Sequence, residues 1–116
     1  MASVLSTGAD PHLMATRALI IEKAGHRVVT ALGDSEVLAA CQQNRFDVAV
    51  IGQVMRRQEK QRLLRVIREN APNSKVLELY NTVTGKILPD ADGWLEVPAT
   101  IPNELASTVS ALAVRG

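Results

Sequence analysis

The stretch from Phe46 to Met55, Phe-Asp-Val-Ala-Val-Ile-Gly-Gln-Val-Met, constrains the fold more than any other part of this chain. It is apolar, rich in β-branched residues, and lacks the polar alternation of a strand with one wet face, so it reads as a strand buried on both sides. Such strands lie at the centre of parallel sheets, between two layers of helix. In open parallel sheets, chemistry sits where the carboxyl ends of the strands meet the following loops. Here that point is Gly52, which brings no side chain to any reaction.

The segments around this strand alternate in type. Ala2 to Thr7 reads as a first strand, ended by Gly8-Ala9-Asp10-Pro11, where Asp10 can cap a helix and Pro11 suits its first position. That helix runs to about Ala24, stops at Gly25, and sets Leu13, Ile20, Ile21 and Ala24 on one face. Arg27 to Ala31 is a second strand. After Gly33, either Asp34 or Ser35 caps a second helix from Glu36 to about Asn44, with Val37, Leu38 and Cys41 inward. A third helix, Arg56 to Asn70, turns Leu63, Leu64 and Ile67 inward, and Lys75 to Tyr80 is a fourth strand.

From Asn81 to Gly93 the residues Thr82, Val83, Thr84, Gly85 and Pro89 disfavour a long helix. Trp94 to Val97 then forms a fifth strand, and a last helix begins near Pro102, carrying Leu105, Val109, Leu112 and Ala113 on one stripe. Five strand–helix units with right-handed crossovers fit an α/β doubly wound parallel sheet of strand order 2-1-3-4-5, the flavodoxin-like arrangement, with a shortened or missing fourth helix. The 116 residues make one domain, 1–116, long enough to bury about two thirds of the unfolded surface.

Several classes of function are excluded on composition. A net charge of +1 gives no global field toward nucleic acid or anionic membrane, and one Phe, one Tyr and one Trp are too few for a base-stacking platform. One cysteine, Cys41, permits no internal disulfide, and no apolar run approaches a membrane span. With no export signal visible, the expected location is the cytoplasm. His12 and His26 are too far apart and too alone to suggest a metal site; there is no Ser/His/Asp set, phosphate loop or CxxC, and no cofactor is expected.

In order and spacing, several stretches resemble the receiver domain of two-component response regulators. They are Asp10-Pro11-His12-Leu13, Glu22-Lys23-Ala24-Gly25-His26 with Val28-Val29-Thr30-Ala31, Arg45-Phe46-Asp47-Val48-Ala49-Val50-Ile51, Leu63-Leu64-Arg65-Val66-Ile67-Arg68, and Ala91-Asp92-Gly93-Trp94-Leu95 with Pro98 and Asn103-Glu104-Leu105. The resemblance covers nearly the whole chain. It implies an acidic pair holding Mg²⁺ after the first strand, a phospho-accepting aspartate ending the third, a hydroxyl residue ending the fourth and a lysine ending the fifth. Carried over by position, the acidic pair falls on Gly8 and Ala9, the acceptor on Gly52, the hydroxyl on Tyr80 and the lysine on Val97. On this reading the parts of the phosphorylation site are missing and no metal is expected. Asp10 is better explained as a helix cap, and Glu59 as a solvated helix residue rather than a group swung toward the pocket.

Two readings fit Trp94, which stands where receivers keep a switching aromatic: packed inward over Tyr80, or outward as an interface anchor beside Glu96 and Leu105. The third helix concentrates Arg56, Arg57, Lys60, Arg62, Arg65 and Arg68. That run is either an ordinary solvated face or a patch for an acidic protein or a nucleic-acid backbone. The expectation overall is a degenerate receiver, not an enzyme, acting by contact with a protein partner or as a homodimer. Nucleic acid and membrane are not expected partners. The alternatives are a small-ligand sensor at the pocket around Gly8, Gly52 and Tyr80, or an acidic-partner or nucleic-acid binder through the third helix.

Overall fold

In the computed structural model, which describes residues 1–98 and 103–114, strands and helices alternate as β1 (Ser3–Thr7), α1 (Pro11–Lys23), β2 (Arg27–Ala31), α2 (Gly33–Gln43), β3 (Val48–Ile51), α3 (Arg57–Asn70), β4 (Lys75–Tyr80), β5 (Gly93–Glu96) and α4 (Glu104–Ala113). The strands form one parallel five-stranded sheet in the order β2-β1-β3-β4-β5, as the alternation required. Thr7 pairs with Ala31 and Ile51, and Ile51 with Glu78. The carboxyl ends of β1, β3 and β4 therefore lie side by side, and Gly8 and Gly52 follow them along one edge.

The central strand is shorter than its apolar run. Pairing covers Val48–Ile51, all four buried, while the exposed Asp47 turns its carboxylate to the Ser3 N–H at 2.8 Å. On one face of the sheet Leu5, Ala49, Ile51 and Val76 pack with Val37 and Cys41 of α2 and Leu63 and Ile67 of α3. On the other, Val4, Val48, Val50, Leu77 and Leu79 pack with Ile21 of α1 and Leu105, Val109 and Leu112 of α4. Each large side chain so buried stabilises the fold by roughly 1.5–3 kcal/mol. No helix among the described residues is long and apolar enough to cross a membrane.

Asp10 caps α1 as the sequence suggests, accepting the His12 and Leu13 N–H groups at 2.9 and 3.3 Å, and Gly25 takes the left-handed φ of +94°. Met14 and Ile21 form the buried stripe of this helix, while Ala24, past its last turn, is exposed. The second helix departs further from expectation. It starts at Gly33, and neither Asp34 nor Ser35 caps it: Leu32 is the capping residue, its N–H taken by the Glu36 carboxylate at 2.9 Å. The Asp34 carboxylate instead meets Arg62 Nε at 2.6 Å. Leu38, expected inward, is 37% exposed, because the inward stripe runs through Val37, Ala40 and Cys41 and leaves Leu38 a helical step to one side.

Between β4 and β5 there is no helix, so the fourth helix is missing rather than shortened. The Asn81 side chain accepts the N–H groups of Val83 and Thr84, Gly85 turns the chain at φ +67°, and the connection returns over the sheet with Ile87, Leu88 and Ala91 buried. The last strand pairs over Gly93–Glu96 rather than Trp94–Val97, although the Val97 N–H still reaches Tyr80 O at 2.7 Å. The expected start of the last helix near Pro102 lies outside the described residues.

Candidate functional site

The carboxyl edge of the sheet gathers Gly8, Ala9 and Gly52, none of which carries a carboxylate. The Gly52 N–H donates to Thr7 O at 2.9 Å, and a Cβ built on Gly52 would lie 3.2 Å from Arg17 Nη1, 3.3 Å from Thr7 O and 3.5 Å from Gly8 Cα. A Cβ on Gly8 would lie 3.4 Å from Met14 Sδ. Space that a side chain on either glycine would enter is thus lined by α1, and its most prominent group is a guanidinium. Arg17 Nη2 donates to Gln53 Oε1, which fixes the charge at the ends of β1 and β3. Burial lowers the Arg17 pKa and the nearby Asp10 charge pulls it back up; an arginine stays protonated through such shifts.

Sequence reasoning missed Arg17. Its signal was present, for it stands three and four residues from Leu13 and Met14 and from Ile20 and Ile21, on the stripe that faces the sheet.

Magnesium asks for carboxylate oxygens in near-octahedral geometry. Gly8, Ala9 and Gly52 offer none, Asp10 is occupied as a helix cap, and the Arg17 charge repels a cation, so these residues do not fit that ion. Among the described residues, no three His, Cys, Asp or Glu side chains group in a way that would hold a metal. The half-buried Glu59 does line a groove of about 400 Å³ together with Gly8, Ala9, Asp34 and Arg62. Neither Gly52 nor Tyr80 lines it, so the positions of the expected ligand pocket do not share one cavity.

Tyr80 and Trp94 are linked by Lys86, whose Nζ lies 5.8 Å from the tyrosine centroid and 5.0 Å from the indole. Trp94 is half-buried against the core under α2 and α3, and its indole N–H donates to Leu88 O at 3.0 Å. It packs on the β4–β5 connection. Val97 is buried beside Leu79 and Leu95, and Glu96 is exposed. Leu105, considered as a surface contact, is only 6% exposed: it belongs to the stripe by which α4 covers the sheet and is core.

The basic run on α3 also needs correction. Lys60 is fully buried, with Nζ 2.9 Å from Glu78 Oε2 and 2.9 Å from Leu79 O, so it contributes nothing to a surface patch. It precedes Leu63, Leu64 and Ile67 by three, four and seven residues and so falls on their inward stripe. Its partner Glu78 is the lone acid of a strand buried on both faces, and accepts the backbone N–H groups of Ile87 and Leu88 at 2.9–3.1 Å. A buried ion pair thereby ties the helix-free connection to α3. Arg56, Arg57 and Arg65 are exposed, and Arg68 spans Ser74 O, Asp90 O and the Asp92 carboxylate.

His26 joins the two ends of the fold. Its Nδ1 accepts the Ala2 N–H at 3.0 Å while Nε2 meets Ser110 Oγ at 2.8 Å. Cys41 is buried, and desolvation raises its thiol pKa, away from a reactive thiolate.

Neither a family model nor a curated protein matches the sequence. Solved structures do. A response regulator receiver domain protein from Clostridium thermocellum superposes with a TM-score of 0.83 at 21% identity, over 99% of this chain and 96% of that one. The receiver domain of Francisella response regulator 1452 gives 0.80 at 24%, over 99% and 98%. The receiver domain of sensor histidine kinase PA1611 from Pseudomonas aeruginosa, with a magnesium ion coordinated in its active-site cleft, gives 0.78 at 15%, over 97% and 98%. This chain has the fold of response regulator receiver domains.

Proposed function

We propose that this chain is a receiver-fold regulatory module that works without phosphoryl transfer, through contacts with a protein partner or a second copy of itself, and that it is not an enzyme. The observation that carries this reading is the Arg17 guanidinium beside Gly52. In the PA1611 receiver domain the active-site cleft coordinates magnesium; in this chain Gly52 has a tethered cation beside it, Asp10 serves as a helix cap, and Asp34, on the neighbouring groove with Glu59, is paired with Arg62. A phospho-acceptor must be a nucleophile, and Gly52 has no side chain to serve. The fold is kept while positions 8, 9 and 52 carry no reactive side chain, which suits a scaffold used for its surface.

The test is direct. The purified chain is incubated with Mg²⁺ and acetyl phosphate and its intact mass is measured; the mass is expected to stay unchanged. A stoichiometric phosphoryl adduct overturns the proposal. Light scattering on the same sample separates a homodimer from a monomer that needs another partner.

A further inference from the structure

The missing helix leaves a gap with a definite character. On the face occupied by α2 and α3, α3 packs on β3 and reaches β4 through Lys60, Leu63 and Ile67, and beyond that reach the returning connection, with Ile87, Leu88 and Ala91 buried, covers the sheet. Between that connection and α3 runs a groove of about 440 Å³. Leu64, Ile87, Leu88 and Pro89 give it an apolar lining, with Gln61 and Arg65 on the helix wall. Arg57, Gln61, Leu64 or Arg65, and Arg68 recur at three- and four-residue spacing, so Arg65 and Arg68 line the groove and the exposed Arg57 continues their side of α3 one turn beyond it. Arg68 is engaged with Asp92, but among the described residues neither Arg57 nor Arg65 has an ion-pair partner. Against the two arginines of the lining stands one acid, Asp90.

We infer that this groove is a docking site for an acidic amphipathic helix of a partner protein, laid between α3 and the β4–β5 connection. The apolar lining takes the hydrophobic stripe of such a helix, and Arg57 and Arg65 meet carboxylates that flank it, which is the helix-in-groove mode of recognition. An apolar lining offers nothing to a phosphate backbone, so nucleic acid is the poorer fit. The inference rests on the interaction-module reading and gives it a surface and a partner chemistry.

The probe is a synthetic helical peptide of about 18 residues, five turns, with leucines on one stripe and glutamates beside it. A control peptide has lysine in place of each glutamate. Titrated into the ¹⁵N-labelled full chain, the glutamate peptide is expected to shift amides of Gln61 to Arg68 and of Ile87 to Asp90, and the lysine peptide to bind more weakly. Arg65→Glu should weaken the glutamate peptide by about tenfold or more, the loss of one desolvated charge pair, and reverse the preference between peptides. Gln61→Trp keeps the charge but fills the groove, and should abolish binding. Both positions are exposed, and unchanged thermal melts of the free variants verify that the fold is kept. Absence of binding, equal affinity for the two peptides, displacement of the peptide by duplex DNA, or a dimer of the free chain broken by Arg65→Glu would each overturn the inference. Shifts confined to Trp94–Glu96 and α4 would also overturn it while leaving the interaction module intact; that reading fails separately, on phosphoryl uptake.

Discussion

Lys60→Met is the most informative single change in this protein. The lysine ammonium has two partners, the Glu78 carboxylate and Leu79 O, both at 2.9 Å, and lysine and glutamate side chains are both 0% exposed. Methionine fills nearly the same volume, so no large cavity opens, but a buried carboxylate loses its counter-charge. Removing one member of such a pair costs about 3–5 kcal/mol, a large share of the roughly 5–15 kcal/mol that holds a domain of this size together. At about 4 °C per kcal/mol for a chain of this length, the midpoint should fall by about 12–20 °C.

Replacing both partners, Lys60→Met with Glu78→Leu, removes both charges. Part of the loss should return, with a coupling energy of about 1–3 kcal/mol between the sites. Recovery stays incomplete because the Ile87 and Leu88 N–H groups, which both donate to Glu78, are left without acceptors at about 1–3 kcal/mol each. Urea unfolding followed by circular dichroism gives the energies, and native-state hydrogen exchange gives the location. The amides of Ile87 and Leu88 should lose protection in Glu78→Leu while those of β3 keep theirs relative to global stability. A Lys60→Met cost below about 1 kcal/mol, well under the range for a broken buried pair, or retained protection at Ile87 and Leu88, would refute the claim that this ion pair anchors the connection.

Three further outcomes follow from the geometry. Asp10→Ala removes the acceptor for the His12 and Leu13 N–H groups and should cost about 1 kcal/mol in urea unfolding, with Asp10→Asn close to wild type. Gly25→Ala places a side chain at φ +94° and should cost about 1 kcal/mol in the same assay, since alanine fits that region poorly. Burial raises the Cys41 thiol pKa, so its contribution to stability is present below the ordinary thiol range, about 8.5, and fades as pH climbs through the folded value. Alkylation by iodoacetamide at pH 8 should accordingly be far slower for the native chain than for the chain in urea.

Much of the fold was legible beforehand for local reasons. The apolar run before Gly52, the Asp10-Pro11 start of α1 and the left-handed Gly25 each act through neighbours in sequence, and each stands where those neighbours dictate. Legibility failed where a charged side chain chose between water and the interior. Lys60 and Arg65 look alike in the sequence of α3, yet one is sealed against Glu78 and the other exposed. Asp34 looked like a helix cap, until Arg62 of another helix claimed its carboxylate.

By itself, then, the sequence determined the succession of elements, the parallel sheet and the absence of carboxylates at positions 8, 9 and 52, because periodicity, capping and residue identity are properties of short stretches. Only the tertiary structure decided that a lysine lies in the core, that Arg17 stands beside Gly52, and that a groove opens between α3 and the β4–β5 connection. Each depends on a partner far along the chain, 18 residues away for Lys60 and 36 for Arg17. A buried charge is stable only where such a partner meets it, and that meeting is made by packing.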